Sequence, residues 1–450
     1  MSEQRVIIIG AGPAGSLLAI YFAKRGIKVD VFEARGDMRK ERVSAGRSIN
    51  MALSDRGIAA LREVGMDEYM LSEAIPMHGR MIHSPAGDTR LLPYSGRTGE
   101  YINSVSRAGL NIALMNEAEK YDGVQLIFNE RCVDFNCDVG EAMFESGRSR
   151  RADTVIATDG AGSVVRHAME SQIEGSSVSS VFLEHAYKEL HIPPQKSGAS
   201  PFAIEPNALH IWPRHKFMMI ALPNLDGSFT CTLFLAQHSE AGSDGPSFEK
   251  LVDERALMDF YKAEFPDAVP LMPTLAEDFF TNPTGQLGTV KCWPWNADGK
   301  VLLLGDAAHA VVPFYGQGMN CAFEDIRVLD QLIESRGNDW QTVFEEYGRL
   351  RKPNTDAIAD MAEENFYEMR DATADPVFQR KRQLETTLEQ SFPDYFSKYS
   401  MVTFREDMPY SLAKAKGNAQ DQLLMEICGR VATVDDLNLE HVMEAIRQLR

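Results

Sequence analysis

At 450 residues the chain is longer than one hydrophobic core sustains, which predicts two or three subdomains. Its 44% hydrophobic and 25% charged residues are those of an ordinary globular protein, and a net charge of −19 repels phosphate backbones, excluding nucleic acid as a partner. The six cysteines form no Cys-x-x-Cys pair, so reduced, buried thiols in a cytoplasmic protein are expected, with no metal site.

Val6 to Ile9 is a continuous apolar run, the pattern of a parallel strand buried on both faces. A helical stretch from Pro13 to Arg25 follows, ended by Gly26, and Lys28 to Phe32 reads as the next strand. Met77 to Pro93 alternates around a turn at Pro85 to Asp88, which predicts a hairpin. Leu110 to Lys120 is helical in period, and Thr154 to Ala157 is another buried strand. From Phe182 to Leu235 the texture changes to antiparallel strands, including Leu209 to Trp212, Phe217 to Leu222 and Ser228 to Leu235. Val301 to Leu304 returns to a buried parallel strand. From Met319 onward the pattern is helical, with breaks expected at Pro353, Pro376, Pro393 and Pro409. No window reaches eighteen uninterrupted apolar residues and Met1 to Arg5 carries no leader pattern, so no membrane anchor is expected.

Gly10-x-Gly12-Pro13-Ala14-Gly15 follows a strand and opens a helix, and Glu33 ends the next strand. The first glycine permits the turn, the second lets backbone approach a pyrophosphate, and the third lets helix and strand pack closely. The helix start supplies free N–H groups, and Glu33 is placed to accept hydrogen bonds from a ribose. This fingerprint does not separate FAD from NAD; a later segment does. Gly305-Asp306 ends a strand, and Pro313 to Asn320 leads into a helix. Asp306 is then expected on the sugar-alcohol chain of FAD. The helix start at Gly318, Met319 and Asn320 would face the flavin pyrimidine, stabilising an anionic reduced ring by roughly 0.3–2 kcal/mol.

With a third segment, Asp159-Gly160-Ala161-Gly162, these motifs resemble the FAD-dependent aromatic-ring hydroxylases, the single-component flavoprotein monooxygenases, over most of the chain. The resemblance implies an α/β fold: a Rossmann-like FAD-binding domain, an inserted antiparallel-sheet substrate domain and a C-terminal helical region. The implied FAD-binding parts are 1–75, 101–178 and 286–345. The substrate parts are the hairpin at 76–100 and the sheet at 179–285, with helices at 346–450 covering the pocket. It also implies cofactor contacts from Gly10, Gly12, Ala14, Gly15, Glu33, Ala34, Arg35, Ala52, Arg107, Cys132, Asp159, Asp306, Gly318, Met319 and Asn320.

Gly46 to Ser54, Gly79 to His83, Pro206 to Pro213, Phe217 to Asn224, Ser228 to Phe234 and Tyr399 to Phe404 lie outside the cofactor motifs. They resemble the kynurenine-hydroxylating branch of that family. The branch implies that Arg80 and Tyr94 bind a substrate carboxylate, a task suited to a guanidinium. Asn365, Glu368 and Tyr399 would hold the amino-acid end, Glu368 meeting the ammonium. Leu209, Met218, Ile220, Leu222, Thr232 and Phe234 would wall the aromatic ring, with Pro313 and Phe314 on the flavin side. Tyr315 receives no catalytic role. Without the surrounding strings, Arg80 and Arg107 would read as surface ion-pair residues and the apolar set as plain core.

The implied reaction is hydroxylation of L-kynurenine by dioxygen, with NADPH reducing bound FAD and a flavin 4a-hydroperoxide as oxygen donor, in a monomer or homodimer. The aniline nitrogen already activates the ring, so no Asp–His or Ser–His base is required, and no convincing pair is visible. No second dinucleotide fingerprint occurs, so NADPH is expected to dock transiently. Two alternatives on the same scaffold are a hydroxylase of phenols or benzoates and a halogenase, the latter weakened because Trp293-Pro294-Trp295 lacks a following Ile-Pro. A non-catalytic binding relative is a third, disfavoured by the Asp306 segment.

Overall fold

The computed structural model describes residues 5–40, 50–239, 245–371 and 375–449. Residues 46–49 of the Gly46 to Ser54 string, and the first four residues, lie outside them. The nucleotide-side sheet has six strands in the order Asn296–Ala297, Val301–Leu303, Thr154–Ala157, Arg5–Ile9, Lys28–Phe32 and Val124–Ile127. All neighbours are parallel except the short edge strand Asn296–Ala297. Ile8 sits in register with both Val31 and Ile156, and all three are buried. The continuous apolar run is therefore explained: helices Pro13–Lys24, Arg107–Ala118 and Gly318–Arg336 share this core, and Val6 to Ile9 and Thr154 to Ala157 at its centre are buried throughout.

The second sheet has seven strands in the order Thr284–Trp293, Ser177–Ile192, Phe229–Ala236, Phe217–Pro223, Leu209–Arg214, Gly79–His83 and Thr89–Pro93. It is antiparallel except where Leu209–Arg214 meets Gly79–His83. The hairpin at Gly79–Pro93, expected among the substrate parts, is the edge of this sheet. One departure from the expected segmentation is visible: residues 288–293, expected with the nucleotide side, pair along Ser177–Phe182, and Gln286 pairs with Ala186.

Side chains alternate across the second sheet with period two. Ile211, Met218, Leu222 and Phe234 join one core, with Leu209, Ile82 and Ile220 partly buried against it. Their sequence neighbours Trp212, Met219, Ala221 and Leu233 join another core on the opposite face.

Pro353 does not break a helix. It lies inside the 32-residue helix Trp340–Asp371, where its missing N–H and its ring cost roughly 3 kcal/mol. Val343, Phe344 and Tyr347 before it, and Ile358, Met361 and Ala362 after it, are all fully buried. At roughly 1.5–3 kcal/mol for each large side chain, burial on both sides outweighs the loss. The other three prolines fall at boundaries: Pro376 begins helix Pro376–Ser391, Pro393 follows it, and Pro409 caps Tyr410–Gly429. All six cysteines are free and buried.

Candidate active site

The Gly10–Gly15 turn is shaped for a dinucleotide. Gly10 has φ +102°, and a Cβ there would lie 2.6 Å from the Thr158 carbonyl oxygen. A Cβ on Gly15 would run into the Gly10 carbonyl and the Thr158 hydroxyl. A Cβ on Gly12 would meet open space, so this glycine faces the side from which a ligand arrives. Gly12 caps helix Pro13–Lys24 with no side-chain bond, leaving the N–H groups near Ala14 available to a phosphate.

Glu33 is buried, its carboxylate accepting from the Ala11 N–H at 2.9 Å and from the backbone and Nε of Arg35. Burial pushes its acidity down, but the bonds from Arg35 prevail and hold Glu33 below the usual carboxylate range. Ala34 sits between these two residues, partly buried.

Asp159 holds the third motif. Its Oδ2 accepts from the Val164 N–H at 2.9 Å, while its buried Oδ1 has no partner among the described residues. Burial raises its pKa. Cys132 is buried within electrostatic reach of Asp159, and burial pushes its thiol up to about 12. An orphaned buried carboxylate oxygen beside a side-chain-free glycine turn fits a polar ligand such as FAD.

Asp306 opens the short helix Asp306–His309 and is exposed, following Gly305 at φ +62°. Gly318–Arg336 begins at Gln317, whose side chain provides no cap, so the N–H groups of Gly318, Met319 and Asn320 are left to a ligand. The Asn320 side chain is committed elsewhere: it donates to the carbonyls of Ala52 and Gly316 and accepts from the Ser54 N–H. It therefore fixes the strand carrying Ala52 against the Pro313–Tyr315 turn. Arg107 begins helix Arg107–Ala118, exposed, with its field reaching Tyr187 on the second sheet.

The ring-wall residues come together on one face of the second sheet. Leu209 is the register partner of Arg80, Ile220 of both Ile211 and Thr232, and Met218 of both Phe234 and Pro213. Phe314 packs on Phe234 at 4.9 Å between centroids, closing the wall from the turn that Pro313 begins. Leu222 completes the same face and is buried.

At the polar end, Tyr94, Tyr399 and Tyr315 form a ladder: Tyr94 stacks on Tyr399 at 5.2 Å and Tyr315 on its other side at 5.6 Å. The Arg80 guanidinium lies 5.0 Å from the Tyr399 ring centre and 5.7 Å from that of Tyr94. Burial raises the pKa of both tyrosines, with Arg80 opposing, so both are neutral phenols. The Tyr94 hydroxyl is buried without a hydrogen-bond partner among the described residues. Asn365 donates to the Phe314 carbonyl at 2.7 Å, tying the long helix to the turn. Arg80, Tyr315, Asn365, Glu368 and Tyr399 line one cleft of about 390 Å³.

Sequence reading missed several members of that cleft, among them Lys381, Arg382, Glu385, Lys398 and Asp421. Lys381 and Lys398 both pair with Asp421, and Arg382 holds Glu385 at 2.7 Å. Tyr315, given no role, is also a lining residue. Among the described residues two Asp–His pairs occur. His309 Nε2 lies 2.6 Å from Asp325, which Arg351 also holds, and His83 Nδ1 lies 2.7 Å from Asp267. His83, with its partner His210, points from the sheet strands to the face opposite Arg80, and neither pair lines the cleft. They are structural.

The sequence pattern of the FAD binding domain matches residues 3–237 and 286–362. The kynurenine 3-monooxygenase of Myxococcus xanthus is 47% identical over 99% of this chain and 96% of its own. The chain belongs to the kynurenine 3-monooxygenase family. Another member, from Dictyostelium discoideum, is 43% identical over 98% of this chain and 96% of its own. Among solved structures, p-nitrophenol 4-monooxygenase from Pseudomonas putida DLL-E4 shares the fold with a TM-score of 0.67 at 17% identity, covering 91% of this chain and 99% of that one. The family assignment thus rests on sequence along the whole chain, including the segments that build the Arg80 cleft.

Proposed function

We propose that this chain hydroxylates L-kynurenine to 3-hydroxy-L-kynurenine as an FAD-dependent monooxygenase, with NADPH and dioxygen as co-substrates. One observation carries the substrate assignment. Among the described charged residues lining the cleft, Lys381, Arg382, Lys398, Glu364, Glu385 and Asp421 all have ion-pair partners. Arg80 and Glu368 have none. One free cation and one free anion, next to an apolar wall, complement an aromatic ring bearing a zwitterionic tail.

When bound, FAD supplies hydride acceptance and oxygen activation, drawing on NADPH. The residues do the rest. Gly12, Glu33, Asp159 and Asp306 would hold the dinucleotide, and the uncapped start at Gly318 would face its ring system. Arg80 fixes the substrate carboxylate, Tyr94 offers its unpartnered hydroxyl, and Glu368 takes the ammonium. Met218, Ile220, Leu222 and Phe234 hold the ring and exclude water. No side chain on that wall moves a proton, consistent with a ring already activated by its own amine.

The expected segment boundaries stand as a proposal, amended by the sheet membership of 286–293. So does a cytoplasmic monomer or homodimer; among the described residues no helix is long and apolar enough to cross a membrane.

Stopped-flow reduction of the purified flavoprotein by NADPH tests the reading. L-kynurenine is expected to accelerate reduction and to be converted to a product one oxygen heavier. Acceleration by a phenolic acid but not by kynurenine would overturn it.

A further inference from the structure

The Arg80 cleft has a neighbour of about 480 Å³, walled by Ile82, Leu92 and Phe378. The two share only three residues, Arg80, Glu368 and Arg382. Glu368 and Arg382 thus stand at the same junction on different helices, Trp340–Asp371 and Pro376–Ser391. Their situations differ. Glu385 is 2.7 Å from Arg382 and also 3.4 Å from Lys381, so its charge is held twice. Glu368 has no ion pair among the described residues. Lining both clefts, Glu368 and Arg382 are near neighbours, and the carboxylates of Glu385 and then Glu368 hold Arg382 above its ordinary pKa despite burial.

Resting on the proposed function, we infer that Arg382 is a specificity-determining residue, an internal competitor for the Glu368 carboxylate that a substrate ammonium must replace. Arg382, paired with Glu385, offsets part of the Glu368 charge through its field without an ion pair to it. A ligand with a carboxylate and no amine takes Arg80 and leaves that balance intact. A zwitterionic ligand puts its ammonium beside Glu368 and weakens the hold of Arg382. Hydroxylation leaves the tail unchanged, so the product carries the same ammonium. A resident cation that retakes Glu368 favours product departure. Arg382 therefore trades substrate affinity against release, and tempers the preference for an amine.

The test uses the FAD-loaded protein and measures Kd by perturbation of the flavin absorbance. The ligands are L-kynurenine and its des-amino analogue, the same keto acid with hydrogen in place of the α-amine. Arg382→Gln is expected to bind L-kynurenine roughly three- to fivefold tighter, the scale of one partly exposed charge pair, and to bind the analogue more weakly. Arg382→Lys is expected near wild type. In a Glu368→Gln background, Arg382→Gln is expected to change neither affinity. Equal weakening of both ligands by Arg382→Gln and Arg382→Lys would mean a packing role and overturn the inference, as would an Arg382 effect that survives in Glu368→Gln. Wild-type protein that binds neither ligand overturns the functional reading and this inference with it. Wild-type binding with another variant pattern overturns this inference alone.

Discussion

At the Gly10–Gly15 turn the backbone decides which residues fit, because a side chain on Gly10 or Gly15 collides with main-chain atoms of neighbouring loops. At the far end of the cleft charge decides. Lys381, buried to 4% exposure, is held by Glu385 and Asp421, and Asp421 in turn by Lys398. The first region admits no side chain at Gly10 or Gly15, a limit set by the turn's own backbone and by Thr158 at the end of a neighbouring strand. The second tolerates many shapes but only as a balanced set, since each charge is buried on the strength of another. Recognition of a common cofactor is thus built into local geometry, and recognition of the substrate tail into a network drawn from three helices.

The largest expected effect is on the steric side. Gly15→Ala forces backbone movement and should destabilise the fold by more than about 4 kcal/mol, seen as loss of soluble yellow protein. Gly12→Ala is the informative contrast: its Cβ has room, so the fold should survive while FAD affinity falls. Equal damage from both would break the distinction. Next comes Lys381→Met, which leaves Glu385 and Asp421 short of a cation and should cost roughly 3 kcal/mol in denaturant unfolding, less at low pH where carboxylates discharge. A stability unchanged at neutral pH would show that the network carries no weight.

Arg80→Ala acts on binding rather than folding. It should weaken L-kynurenine by roughly 2–4 kcal/mol with FAD still bound, because the cleft loses the cation left unpaired among its described residues. An unaltered KM would remove Arg80 from the site. The smallest effect lies behind the sheet, at His210. Burial lowers its pKa from 6.5 to about 4. The unfolded chain takes up a proton near pH 6.5 that the folded chain refuses until about 4. Stability is therefore full above about pH 6.5 and declines as pH falls toward 4. His210→Gln should flatten that decline, measured as Tm against pH.

The contrast also explains what was legible in sequence. Gly10, Gly12, Gly15 and Glu33 announce themselves because sterics leave few alternatives and the spacing is fixed by one strand, turn and helix. The ring wall was legible as period-two strands, although only the resemblance separated pocket from ordinary core. Lys381, Arg382 and Asp421 were not legible: charges at i, i+3 and i+4 on a helix read as a solvated face, and only folding brings Pro376–Ser391 against Tyr410–Gly429, where Lys381 meets Asp421. Pro353 misled because local backbone cost was visible and burial on both sides of it was not. The His309–Asp325 pair was hidden by a separation of sixteen positions, across a turn and a helix start.

A crystal structure of the FAD-loaded protein with L-kynurenine puts the zwitterion assignment to the test most directly. The substrate carboxylate should lie on the Arg80 guanidinium, its ammonium toward Glu368, and its ring against Met218, Ile220 and Phe234. A ligand whose carboxylate sits elsewhere, with Arg80 turned from the cleft, would contradict the account.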